Sequence, residues 1–145
     1  MTENIIRYAK SIVLSLVAIF VCFAVLDVLW LGVIADGWYQ REMEGLLRNS
    51  FITWPWLVFY VMYGGVVFVL AVVANRDKSL LYAGIDGALL GIASYGAYNL
   101  TAYSIIEGFS LFIMLIDWAW GTFLTSASAM AGWLGFQMLR DDKIS

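Results

Sequence analysis

Four stretches of this chain are long and apolar enough to cross the hydrocarbon core of a bilayer, at about residues 11–35, 55–74, 80–101 and 110–138. A helix needs roughly 20 residues for that crossing, because each residue rises about 1.5 Å. In hydrocarbon a segment must satisfy its own backbone polar groups, which favours helices for runs of this kind. The spans take up most of the 145 residues, 63% of which are hydrophobic and 13% charged. A soluble core of this size cannot hide so much apolar surface. The predicted fold is therefore all-α: a membrane-embedded four-helix bundle in a single domain, residues 1–145.

The connections refine this picture. Arg7 and Lys10 flank the first apolar run, which is far longer than the core of a signal peptide and lacks a small-residue cleavage site, so it reads as a retained helix. Between the first two spans lies a polar stretch, Asp36 to Thr53. There Tyr39, Met43, Leu46 and Leu47 share one helical face, and Arg41, Glu42, Glu44 and Arg48 occupy the rest. That pattern predicts a short amphipathic helix in the membrane interface, with Trp38 and Tyr39 at headgroup level; an ordered loop is the alternative. Pro55 fits a first helical turn, flanked by Trp54 and Trp56 as interface anchors. The tight link Asn75–Ser79 makes the second and third helices antiparallel neighbours. Arg7, Lys10, Arg76, Lys78, Arg140 and Lys143 fall on one side, against Arg41 and Arg48 on the other. Six against two predicts both termini in the cytoplasm.

Composition also excludes several functions. The net charge of -3 leaves no basic footprint for nucleic acid. There is no histidine, and the single Cys22 lies in an apolar run. No metal site is expected, and no haem or zinc site of the usual ligand type. Redox chemistry at Cys22 lacks a second thiol.

Three aspartates interrupt the apolar runs: Asp27, Asp86 and Asp117. A charge in hydrocarbon is costly, so an intramembrane acid marks a candidate functional site whose partner must be named. No Lys or Arg shares these stretches, which leaves a proton, an uncharged polar side chain, a bound cation or another chain. Asp27 lies about nine residues before the outer end of the first helix, and Asp117 about seven after the start of the fourth. Both therefore sit roughly 10–14 Å below the outer surface. The third helix reaches that zone at Tyr95, Tyr98 and Asn99. Asp86 lies near the cytoplasmic end, within reach of water by snorkelling. Asp27 and Asp117 each carry a tryptophan at i+3, Trp30 and Trp120, on the same helix face. An indole N–H there can serve a carboxylate on its own or a neighbouring helix. Gly32 and Gly121 follow, and both are read as points of close approach. Tyr60 and Tyr63 are read as packing or interface residues.

Helix contact has its own signature. Gly84, Ala88, Gly91 and Tyr95 share a face of the third helix, and Gly87 and Gly91 form a GxxxG pair. Gly121, Thr125, Ser128 and Gly132 form a comparable stripe on the fourth. Small residues let helix backbones approach closely in lipid.

Four motifs together resemble a family of small bacterial membrane proteins catalogued as a domain of unknown function. They are Leu26-Asp27 with Trp30-Leu31-Gly32, Gly87 to Gly91, Tyr95 to Thr101, and Asp117 with Trp120-Gly121-Thr122. The likeness runs over nearly the whole chain, and its family pattern reads LDxxWLG, GallG, YxtYDlTN and DxxWG. The resemblance implies that Asp27, Trp30, Gly32, Tyr95, Tyr98, Thr101, Asp117, Trp120 and Gly121 belong to the shared pattern. It also implies a bacterial inner-membrane location. Asn99 stands where the family usually has aspartate, and Ala102 where it usually has asparagine. The first departure removes a carboxylate that a tight divalent-cation site would use.

Three function classes follow. The first is a binding or transport protein with an outer-side pocket lined by Asp27, Trp30, Tyr95, Tyr98, Asn99, Asp117 and Trp120. Its ligand would be amphipathic or lipophilic: a lipid, isoprenoid, quinone or pigment, with proton linkage through the acids. The second is an accessory subunit or assembly factor, packed as a homo-oligomer or in a larger membrane complex. The third, a lipid-modifying enzyme, has two carboxylates as acid and base but no activated nucleophile. Structural staples that only fix helix register remain an alternative role for the acids.

Overall fold

The computed structural model describes residues 2–140, so Lys143 lies outside the described residues. Within them the chain forms α1 (Thr2–Leu29), α2 (Asp36–Glu42), α3 (Trp54–Val67), α4 (Leu80–Ile105) and α5 (Leu111–Gln137). A wide π turn, Trp30–Ile34, prolongs α1. A second, Phe68–Val72, prolongs α3 and tightens into a 3₁₀ turn at Val73–Asn75. With these extensions, four helices are long and apolar enough to cross a membrane. The fold is all-helical, as expected.

Two boundaries differ from the sequence reading. The first helix begins at Thr2, so Arg7 and Lys10 ride on its opening turns. The amphipathic helix stops at Glu42, because Gly45 takes φ +81° and turns the chain. Leu46 and Leu47 therefore lie beyond it.

Helix α5 is the centre of the bundle. It packs most extensively on α4 and then on α1. Glycines permit both contacts. A methyl group on Gly91 would press on backbone atoms of Gly121 and Thr122, each 2.8 Å away, and one on Gly87 would meet Ala129 and the Thr125 carbonyl. The Tyr95 ring lies directly on Gly121. The α5 stripe divides its work: Gly121 and Thr125 face α4, whereas Gly132 faces Ile19 of α1 and Val72. Ser128 is buried beside them with no hydrogen-bond partner, and Gly84 packs on the flexible Met130. Gly32 is the exception. Open space surrounds it, so it is not a packing contact; it sits in the π turn where α1 leaves the bundle.

Along α1 the buried residues Ser11, Ser15, Ile19 and Phe23 recur every fourth position, a narrow stripe that suits a helix bathed in lipid elsewhere. Ser15 donates to the Gly132 carbonyl at 2.8 Å. Tyr63 joins three helices, its hydroxyl meeting Ser94 at 2.7 Å and Thr125 at 2.9 Å. Near the α3–α4 link, the buried Asn75 donates to Asp86 and to the Ala71 carbonyl, and the Trp133 indole donates to the Asn75 carbonyl. Asp86 thus has a side-chain partner instead of snorkelling alone. Asn75→Ala is expected to lower stability by about 1–2 kcal/mol, since it strips a half-buried carboxylate of its donor. A fall in the thermal midpoint in detergent, larger than that of Ser15→Ala, checks this.

Helix α3 meets the rest of the bundle chiefly through its π turn. Its first half, from Trp54 to about Tyr60, stands off from α4 and α5. The space so left is roofed by α2, where Trp38, Tyr39 and Met43 pack on Phe109, Ile113 and Met114.

Candidate functional site

That space is a cavity of about 800 Å³. All seven residues singled out from the sequence line it: Asp27, Trp30, Tyr95, Tyr98, Asn99, Asp117 and Trp120. Each arrives there for a local reason. Asp27 continues the every-fourth-residue stripe of α1, one turn past Phe23. Asp117 and Trp120 sit on the first turns of α5, above the glycine contact with α4. Tyr95 and Asn99 are one turn apart on α4, and Asn99 is fully buried. Tyr98, 60% exposed, stands at the rim.

Uncharged donors hold both carboxylates, two to each. Asp27 accepts from the Tyr60 hydroxyl and, at 3.2 Å, from the Trp120 indole. Asp117 accepts from the Tyr39 hydroxyl at 2.6 Å and from the Asn99 amide at 2.7 Å. The same amide nitrogen also donates to the Tyr95 carbonyl at 3.1 Å. The two Asp–Trp elements cross: the indole of the second serves the acid of the first, and the rings of Trp30 and Trp120 stack at 4.5 Å, 5° from parallel. Two polar atoms at the site remain unpartnered, the Asn99 amide oxygen and the Trp30 indole nitrogen.

Tyr39 and Tyr60, the two hydroxyl donors, were not among the residues singled out. Tyr60 sits six residues into α3, which runs inward from the same end, so its depth matches that of Asp27. Applying the depth comparison to the second span would have found it. The sequence pattern places Tyr39 at headgroup level, but α2 turns it under the roof onto Asp117. Burial pushes the Tyr39 hydroxyl pKa upward, and the Asp117 charge adds to the shift, so it stays a donor at neutral pH.

The lining carries ten aromatic side chains, and among the described residues no Lys, Arg or His. Chemically, such a chamber offers acceptors, apolar walls and two sites for protons. Asn99 is part of the carboxylate's own support, holding Asp117 from α4.

Comparison with known proteins agrees with the motif resemblance. The pattern of a family described as "Predicted membrane protein (DUF2177)" matches residues 12–134, from the first turns of α1 to the last turns of α5. No curated protein and no solved structure matched the chain. With that family spanning nearly all the described helices, this chain belongs to the DUF2177 family of predicted membrane proteins.

Proposed function

We propose that this chain binds, or passes between membrane and surface, an amphipathic or lipophilic molecule in the cavity under α2. One observation carries the reading: two intramembrane carboxylates, held by donors from four helices, line a single chamber. Its volume falls within the roughly 300–1,000 Å³ usual for small-molecule sites, and aromatic walls with a few fixed polar groups suit such ligands. Staples that served only helix register would not need a chamber of this size between them. The excess of basic residues at the two termini and in the Asn75–Ser79 link supports a reading with cytoplasmic termini and the cavity on the outer side of a bacterial inner membrane.

The alternative, an accessory subunit or assembly factor, draws nothing from Gly87, Gly91, Gly121 and Gly132, which are used inside the bundle.

Native mass spectrometry with lipidomics on mildly solubilised protein tests the proposal. A discrete apolar molecule is expected to travel with the wild type, and its loading is expected to fall at least severalfold in Asp27→Asn and in Asp117→Asn. Equal loading in both variants would remove these acids from the site.

A further inference from the structure

The cavity has a sign as well as a size. Asp27, Asp117 and, at the mouth, Asp36 line it, and among the described residues no basic side chain does. Arg41, the cation carried by the roof helix itself, pairs with Glu42 at 3.2 Å, and its side chain is 69% exposed. An anionic headgroup would thus meet two acids with nothing to offset them. A ligand that only accepts hydrogen bonds finds the Tyr39 and Tyr60 hydroxyls already donating to carboxylates, which leaves the Trp30 indole N–H as the buried donor without a partner.

Acceptors, by contrast, are in surplus. A carboxylate takes about four hydrogen bonds, and Asp27 and Asp117 each receive two. The Asn99 oxygen receives none, although Asn99 is fully buried and lines the chamber. A buried acceptor without a donor is costly unless something fills it. The stacked pair Trp30 and Trp120 adds ring faces, and Tyr95 lines the same cavity; such faces attract cations.

We infer that the cavity takes an organic ammonium, a protonated amine carrying an apolar tail. Its N–H groups are shared among Asp27, Asp117 and the Asn99 oxygen, and its tail lies against the aromatic walls. This inference rests on the proposed binding role and narrows it to one chemical class.

The test measures radiolabelled decylamine, decanol and decanoate on the full chain in lipid nanodiscs, with protein-free discs as blank. Decylamine is expected to bind saturably and roughly tenfold or more tighter than decanol, the factor for a charge-assisted hydrogen bond over a neutral one. Decanoate is expected to show no saturable binding. In Asp117→Asn the preference for amine over alcohol should collapse, while Asp86→Asn, remote from the chamber, should keep it. Decanol or decanoate binding as tightly as the amine overturns the ammonium inference and leaves a ligand chamber standing. Saturable binding of none of the three overturns the inference and the broader binding role together.

Discussion

Gly91→Leu is expected to abolish the folded bundle. At this position the backbones of α4 and α5 are in contact, and a first methyl group already reaches the Gly121 carbonyl oxygen and the Thr122 Cα, both at 2.8 Å. No rotamer change relieves a clash with backbone, so the helices must part along their most extensive interface. Overpacking in a well-packed core costs about 1–3 kcal/mol even where side chains can give way, and here they cannot. A loss of at least about 3 kcal/mol is anticipated, seen as collapse of the monodisperse peak in size-exclusion chromatography and of the thermal transition. Gly91→Ala should show the same defect in milder form. Gly32→Leu is the control: with open space around Gly32, its effect should stay within about 0.5 kcal/mol. A Gly91→Leu protein as stable as the Gly32→Leu protein would refute the assigned contact.

Asp117→Leu should unfasten α2 while leaving the four long helices assembled. The substitution removes the acceptor of the Tyr39 hydroxyl and of the Asn99 amide at once. Asn99 is fully buried and keeps only its bond to the Tyr95 carbonyl, so the stability cost is about 1–2 kcal/mol. The larger effect is local. Helix α2 has seven residues, too few to hold its shape alone in water, and its polar ties to the bundle are Tyr39 and Glu42, which accepts from the Ser110 hydroxyl at 2.9 Å. Amide exchange over residues 36–42 is expected to rise by an order of magnitude or more. Asp27→Leu should not do this, because the donors to Asp27 come from α3 and α5. Protection of α2 unchanged in Asp117→Leu would show that its apolar contacts alone suffice.

What the sequence disclosed follows from which signals are local. Span number and the glycine faces of α4 and α5 are periodic properties, so Gly87, Gly91, Gly121 and Gly132 were legible from spacing. The convergence of Asp27 and Asp117 was legible too, because rise per residue converts position into depth. Their donors were not. Tyr39 depends on how α2 rolls over the bundle, which no spacing within α2 fixes. Tyr60 was hidden by a sound generalisation, since tyrosines near helix ends usually anchor to headgroups. The π turns left no trace because they answer tertiary packing and carry no propensity signature. Gly32 misled for the opposite reason: its motif neighbours Asp27 and Trp30 face the chamber, but it does not share their face.

The junction at Tyr63 has a consequence in hydrogen counting. Ser94 and Thr125 each also contact the carbonyl four residues back, Leu90 and Gly121, both at 2.7 Å. Together with the two contacts of Tyr63, that makes four short oxygen–oxygen contacts served by three hydroxyl hydrogens. One contact is therefore always without a hydrogen, as at a defect in ice, and rotating a hydroxyl moves the vacancy elsewhere. Three helices are thus held at one point by three hydrogens over four contacts, and the Tyr63 hydroxyl hydrogen has two acceptors open to it, Ser94 and Thr125.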